Sequence, residues 1–181
     1  MQQLTLDTKR KIMKDFFANV AGPEFLEWME DTGYYEKPAA SENHSAYEGG
    51  LFDLSLQVAY ELIRLTDKLE LKWERTESPA VIGMLHDVCK MEDYLLEQDP
   101  AAGRRFKLNL EREWPGHGDK SLIMLLGHIN LTEEEKMCIR YHMGAFTDQK
   151  EWDFYSRAVR KYPNVLYTHM ADMIASQIKG V

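Results

Sequence analysis

The stretch Pro79-Ala-Val-Ile-Gly-Met-Leu-His86-Asp87-Val-Cys89-Lys90 constrains this chain more than any other. A helix that is apolar almost all round belongs in the middle of a fold. This one carries an imidazole and a carboxylate side by side. A buried carboxylate without a partner is strongly destabilising, so the fold must bring Asp87 a cation, a hydrogen-bond network or a metal.

The remaining sequence limits the answer. At 181 residues the chain is expected to be one domain with a sizeable core. Its net charge of -8 argues against broad nucleic-acid binding or docking on anionic membranes, although one locally positive pocket can still take a small phosphorylated ligand. No apolar run approaches the roughly 18 residues of a membrane span, and Met1–Asp7 lacks the basic start and apolar run of a signal peptide. Cys89 and Cys138 lie in apolar helical contexts without CxxC spacing. They read as reduced core thiols, which suits a cytoplasmic protein.

Hydrophobic periodicity predicts helices nearly throughout. Thr5 or Asp7 caps the first, to about Val20, and Pro23 starts a second that ends at Gly33. Residues 34–50 read as a loop. A long helix over about 51–72 carries the stripe Leu51, Leu54, Val58, Leu62 and Leu65. The His86 helix follows, then one over 91–98 stopped by Asp99-Pro100, then a patternless loop or lid to Gly118. Further helices are expected over about 118–128, over 132–142 with Thr132 and Glu135 as a capping box, over 151–162, and from Pro163 to about 178. No segment shows convincing strand alternation. The expected class is all-α.

Histidine is placed unusually often in this pattern. His44 precedes a helix, His86 adjoins Asp87, His117 lies between two glycines, His142 ends a helix, and His169 sits three residues before Asp172. Singly, each reads best as a core histidine satisfied by a carbonyl. Together, histidine and aspartate spread over several apolar helices are how a helical bundle builds a metal site. Lys90 falls on the same strip as His86 and Asp87, and His169 shares a face with Asp172. Gly116-His117-Gly118 offers either a phosphate-receiving helix start or a plain tight turn. His128 reads as a helix end interacting with the dipole.

In this order the residues resemble the HD-domain metal-dependent phosphohydrolase superfamily, over about residues 43–175, with 1–42 as an N-terminal helical extension of a single HD-like domain. His86-Asp87 matches the paired motif, Asp172 the last aspartate, and His117 and His142 the intermediate histidines. The segment Asn43-His44-Ser-Ala-Tyr47-Glu48-Gly49-Gly50-Leu51 is similar to the lead-in of small stand-alone members from bacteria and their phages. The resemblance implies an HD helical bundle. It also implies a divalent ion (Mn, Fe, Zn, Ni or Mg), one per chain, held among His86, Asp87, His117, His142 and Asp172, and a nucleotide or other small phosphoester as partner. Asp87 and Lys90 would serve catalysis. Lys90, Arg104, Arg105 and Lys120 are candidates to neutralise phosphoryl charge, and His44 is a candidate at the pocket mouth, where Tyr47 and Glu48 beside it either line the opening or merely pack against it. An ion pair with Asp87 is the alternative for Lys90, and an exposed surface pair for the arginines. Assembly as a homodimer is left open.

One departure weighs against these matches. Relatives follow Gly-Gly-Leu with a triplet whose histidine is the first metal ligand, and here Leu54 stands in that position. Leucine cannot coordinate a metal. Three outcomes follow: a one-metal hydrolase in which Asp87 bridges to a metal held by His117 and His142; replacement of the ligand by His44 or Asp53; or a degenerate protein that binds a nucleotide or a protein partner without hydrolysis. The di-iron oxygenase branch of the same fold needs a full ligand set, so Leu54 counts against it. A purely helical interaction protein with structural histidines remains a further alternative. If position 54 is a vacated ligand site, Leu54→His raises metal content, read by elemental analysis, and phosphatase activity together. A variant that is only less stable would show that the motif is misaligned.

Overall fold

The computed structural model describes residues 4–42, 45–99 and 103–180. The chain is mostly helical, and its helices start and stop where local chemistry requires. Thr5 caps α1 (Leu6–Phe17) by accepting from the Thr8 backbone N–H, and Pro23 opens α2 (Pro23–Asp31) in its first turn. Helix α3 (Gly50–Leu69) buries Leu51, Leu54, Val58 and Leu62, while Leu65 packs partly buried at the edge of the same core. Then come α4 (Ser78–Leu85), the single turn α5 (Lys90–Asp93), strands β1 (Tyr94–Asp99) and β2 (Gly103–Leu108), α6 (Gly118–Leu125) and α7 (Glu133–Arg140). The chain ends in α8 (Trp152–Lys161) and α9 (Asn164–Met173), which runs on as a wider π-type turn over Ile174–Lys179.

The fold is all-α-like, as expected, and among the described residues the one small two-stranded ribbon is its departure from helix. The helix predicted over 91–98 ends at Asp93, and part of the predicted loop is strand, paired antiparallel from Tyr94 opposite Leu108 to Gln98 opposite Arg104. The ribbon has no fully buried face: Leu95, Leu96 and Leu108 are all exposed. Apolar/polar alternation, the usual sign of a half-buried strand, is therefore missing. Beside the backbone ladder, the pair carries cross-strand charge. Glu97 lies opposite Arg105 and accepts from it at 3.0 Å, and from Lys107 at 2.6 Å.

The centre is built by α3 and α4 packed closely together, with α7 against α4 and α9 against both α3 and α7. Gly83 makes the first contact: a Cβ there would collide with the backbone of Ala59 on α3. The N-terminal segment contributes to this same core through Met13, Phe17, Phe25, Met29 and Tyr34, and the Tyr34 hydroxyl donates to the Met84 carbonyl. His128 lies beyond the end of α6, stacked on Trp28 with ring centroids 4.2 Å apart. Among the described residues, no helix is long and apolar enough to cross a membrane.

Glu135 fixes the relation between α4 and α7. It forms the expected capping box with Thr132, accepts from Arg75 at 2.6 and 2.7 Å, and accepts from the Ser78 hydroxyl at 2.8 Å. Arg75 and Ser78 lead into α4, so both helices begin at one buried carboxylate. They also finish together, with the rings of His86 and His142 4.9 Å apart. The two helices therefore run parallel and deliver their histidines to one place. Glu135→Ala should cost about 3 kcal/mol, as when one partner of a buried pair is removed, with the loss read by urea denaturation. A change under about 1 kcal/mol, the worth of the cap alone, would show that the links to Arg75 and Ser78 carry nothing.

Candidate metal centre

The helical bonds of α4 end with the His86 N–H donating to Ile82 O at 2.9 Å. Tighter three-residue bonds follow: Val88 to Leu85, Lys90 to Asp87 and Met91 to Val88. His86 and Asp87 thus stand at a break between α4 and α5, whereas the sequence reading put them inside one continuous helix. His142 occupies the turn after α7. Gly144 closes that turn at φ 55°, and a Cβ there would strike the ring of His169. At the start of α6, a Cβ on Gly118 would strike the Arg140 carbonyl, so His117 is held against the end of α7.

Two groups of metal-capable atoms result. His86, His142 and Asp172 each offer a ligand atom within 4.8 Å of the other two, and so do Asp87, Cys89 and His117. In the first group both imidazoles are fully buried. His86 Nδ1 donates to Gly83 O at 2.9 Å and His142 Nδ1 to Ile139 O at 2.7 Å. Carbonyls can only accept, so each ring carries a proton on Nδ1 and turns Nε2 inward, where it can take either a proton or a metal ion. Neither Nε2 has a hydrogen-bond partner, although each lies 3.4 Å from an oxygen of Asp87. A lone pair facing a carboxylate is repulsive unless a proton or a metal ion stands between them. The donor set and its anchored tautomers fit a divalent ion.

Asp87 is the centre of charge. Its Oδ2 is 2.7 Å from Lys90 Nζ, and its Oδ1 is 3.8 Å from His117 Nδ1. Burial alone would raise the carboxyl pKa. The charges of Lys90 and His86 outweigh it and hold the group well below the ordinary carboxylate range. For His86, burial favours the neutral ring, but the Asp87 carboxylate prevails and leaves its pKa raised. Burial prevails at His117 and lowers it. Lys90 is raised: Asp87 overcomes the desolvation that would neutralise the amine.

A cavity of about 390 Å³ opens onto these groups, with Asp87, Lys90, His117, His169 and Asp172 in its wall and Leu54 beside them. Other candidates from the sequence lie elsewhere. Lys120 is buried against Asp93 at 2.8 Å and Glu92 at 3.3 Å, as an internal ion pair. Arg105 is in the hairpin beside Glu97. The Tyr47 hydroxyl donates to Asp53 at 2.9 Å, and Asp53 also faces Lys9, so that carboxylate is committed away from the cavity. His44 and the side chain of Arg104 lie outside the described residues. Sequence reasoning read Cys89 as a core thiol and did not select it for the site. His169, noted in the sequence for sharing a face with Asp172 but given no place in the ligand set, donates from Nδ1 to His142 O at 2.8 Å.

In comparisons with protein-family models, curated proteins and solved structures, the chain matches none.

The low pKa of Asp87 has a measurable consequence. The stability it supplies is present above the unfolded-state pKa of about 3.9 and is lost as pH falls through the lower folded value. With chelator present, Lys90→Met should destabilise the protein by about 3 kcal/mol near neutral pH. The gap from wild type should narrow below about pH 4, because Asp87 protonates more readily in the variant. Denaturant titrations across pH read this gap, and a gap that stays constant into acid would remove Asp87 as its source.

Proposed function

We propose that the protein is a metal-dependent phosphohydrolase of the HD type, acting on a nucleotide or related small phosphoester. The observation that carries this reading is the pair of buried, unpartnered Nε2 atoms of His86 and His142, which converge beside Asp172 at the edge of a ligand-sized cavity. These three residues would hold the ion. Leu54 lies in the wall of the same cavity, as the resemblance expects of a vacated ligand position, and His142 restores a third donor.

A bound divalent ion supplies a Lewis acid for a phosphoryl oxygen and a water acidified towards neutrality. The protein's own groups do the rest. Lys90, held in place by Asp87, presents a fixed positive charge to the phosphoryl oxygens as negative charge develops. His117, whose pKa burial lowers, lines the cavity beside Asp87 and would border the bound phosphoester. Phe146 is exposed at the cavity and contacts the ring of His169, and its apolar face suits the base or sugar of a nucleotide.

A second reading, an HD-fold protein that binds a nucleotide or a protein partner without hydrolysis, is favoured by one contact. The 2.7 Å pair between Lys90 and Asp87 compensates the buried carboxylate without any metal. Elemental analysis of protein purified without chelator, combined with phosphate release from a panel of mononucleotides and short oligonucleotides, separates the two. The hydrolase reading expects bound transition metal and an activity that falls about 100-fold or more in His142→Ala. Metal-free protein that is still stabilised by nucleotides in a thermal shift assay would support the second reading and overturn the first.

A further inference from the structure

We propose that Asp87, Cys89 and His117 form a second cation site, with Cys89 as a thiolate ligand, selective for a soft divalent ion of the Zn²⁺ type. Cys89 Sγ lies 3.6 Å from His117 Nδ1 and 3.9 Å from Asp87 Oδ1, and those two atoms are 3.8 Å apart. A tetrahedral ion with bonds of about 2.3 Å to sulfur and about 2.0–2.1 Å to nitrogen and oxygen sets its ligand atoms about 3.4–3.6 Å apart. The triangle therefore needs to close by only a few tenths of an ångström. Asp87 stands between the two groups: Oδ2 meets Lys90 at 2.7 Å and His86 Nε2 at 3.4 Å, while Oδ1 faces His117 and Cys89 and lies 3.4 Å from His142 Nε2.

The site has the form of a catalytic centre more than a structural one. It supplies three protein ligands, and Asp87 and His117 both line the cavity, so the fourth position faces incoming ligand. His117 is the accessible member, its side chain about a third exposed, and gives the ion a way in, whereas Cys89 closes the site from behind. Thiolate also restricts the choice of metal: it favours Zn²⁺-like ions over Mg²⁺, which prefers oxygen ligands. Binding forms a metal–sulfur bond, releases the thiol proton to buffer and transfers no electrons. The other cysteine is a natural control. Cys138 is equally buried, but it belongs to no such group among the described residues.

This inference does not require hydrolysis and adds an ion to the one proposed at His86, His142 and Asp172. The test is a titration of chelator-stripped full-length protein with Co²⁺ under reducing, oxygen-free conditions, read by absorbance. Wild type should take up two ions and show a near-ultraviolet thiolate-to-cobalt band. Cys89→Ser should lose the band and bind the corresponding ion about 100-fold or more weakly, beyond what loss of an outer-shell partner costs. Cys138→Ser should keep both ions and the band. His117→Asn, altered at the exposed edge, provides the same reading if Cys89→Ser fails to fold. Absence of the band from wild type, or its survival in Cys89→Ser, would overturn the proposal. His142→Ala separates the two sites, because it should lose an ion while keeping the thiolate band whether or not the protein hydrolyses anything.

Discussion

The carboxylate of Asp87 is the interaction around which the interior is arranged. It is buried, charged and touched from four directions: by Lys90, His86, His142 and His117. Lys90 comes nearest, at 2.7 Å. The imidazoles of His86 and His142 approach from helices far apart in the chain and each turns Nε2 to within 3.4 Å of the carboxylate, a position that calls for a proton or a metal ion. A core that needed only to bury an acid would be complete with the lysine. The two converging histidines, each with its Nδ1 proton anchored on a carbonyl, exceed what neutralising the acid needs.

Such convergence needs rigid delivery. Helices α4 and α7 start from the same Glu135 and run side by side, so their ends reach the centre in a fixed relation. Close packing of Gly83 on Ala59 sets the depth of α4 against α3, and thereby the distance between Leu54 and Asp87. Gly118 and Gly144 act in the same way at the other two entries to the site, each giving its Cβ space to a neighbouring segment. Three glycines thus serve as spacers around one polar centre. Their replacement would move the polar side chains of this centre without touching one.

Much of the helical frame was legible in the sequence because its signals are local. The stripe on α3, the capping box of Thr132 and Glu135, and the proline start of α2 each depend on residues within a turn or two of one another. The hairpin was not legible, because its strands bury no face and the side chains that meet across it, Glu97 with Arg105 and Lys107, are charges without a strand pattern. Lys120 reads in sequence as a free cation at a helix start, yet Asp93 claims it from a separate element. Tyr47 and Asp53 likewise satisfy each other.

The sequence by itself determined that a carboxylate would be buried beside an imidazole, that helices would surround it, and that enough histidines existed to answer it. These follow from composition and periodicity, which act over short distances along the chain. Only the tertiary structure decided which histidine meets which acid: His142 with His86 and Asp172, and His117 with Asp87 and a cysteine that looked inert. Ligand sets depend on distances of a few ångströms between residues dozens of positions apart. Those distances are fixed by helix packing and glycine contacts that no local pattern encodes.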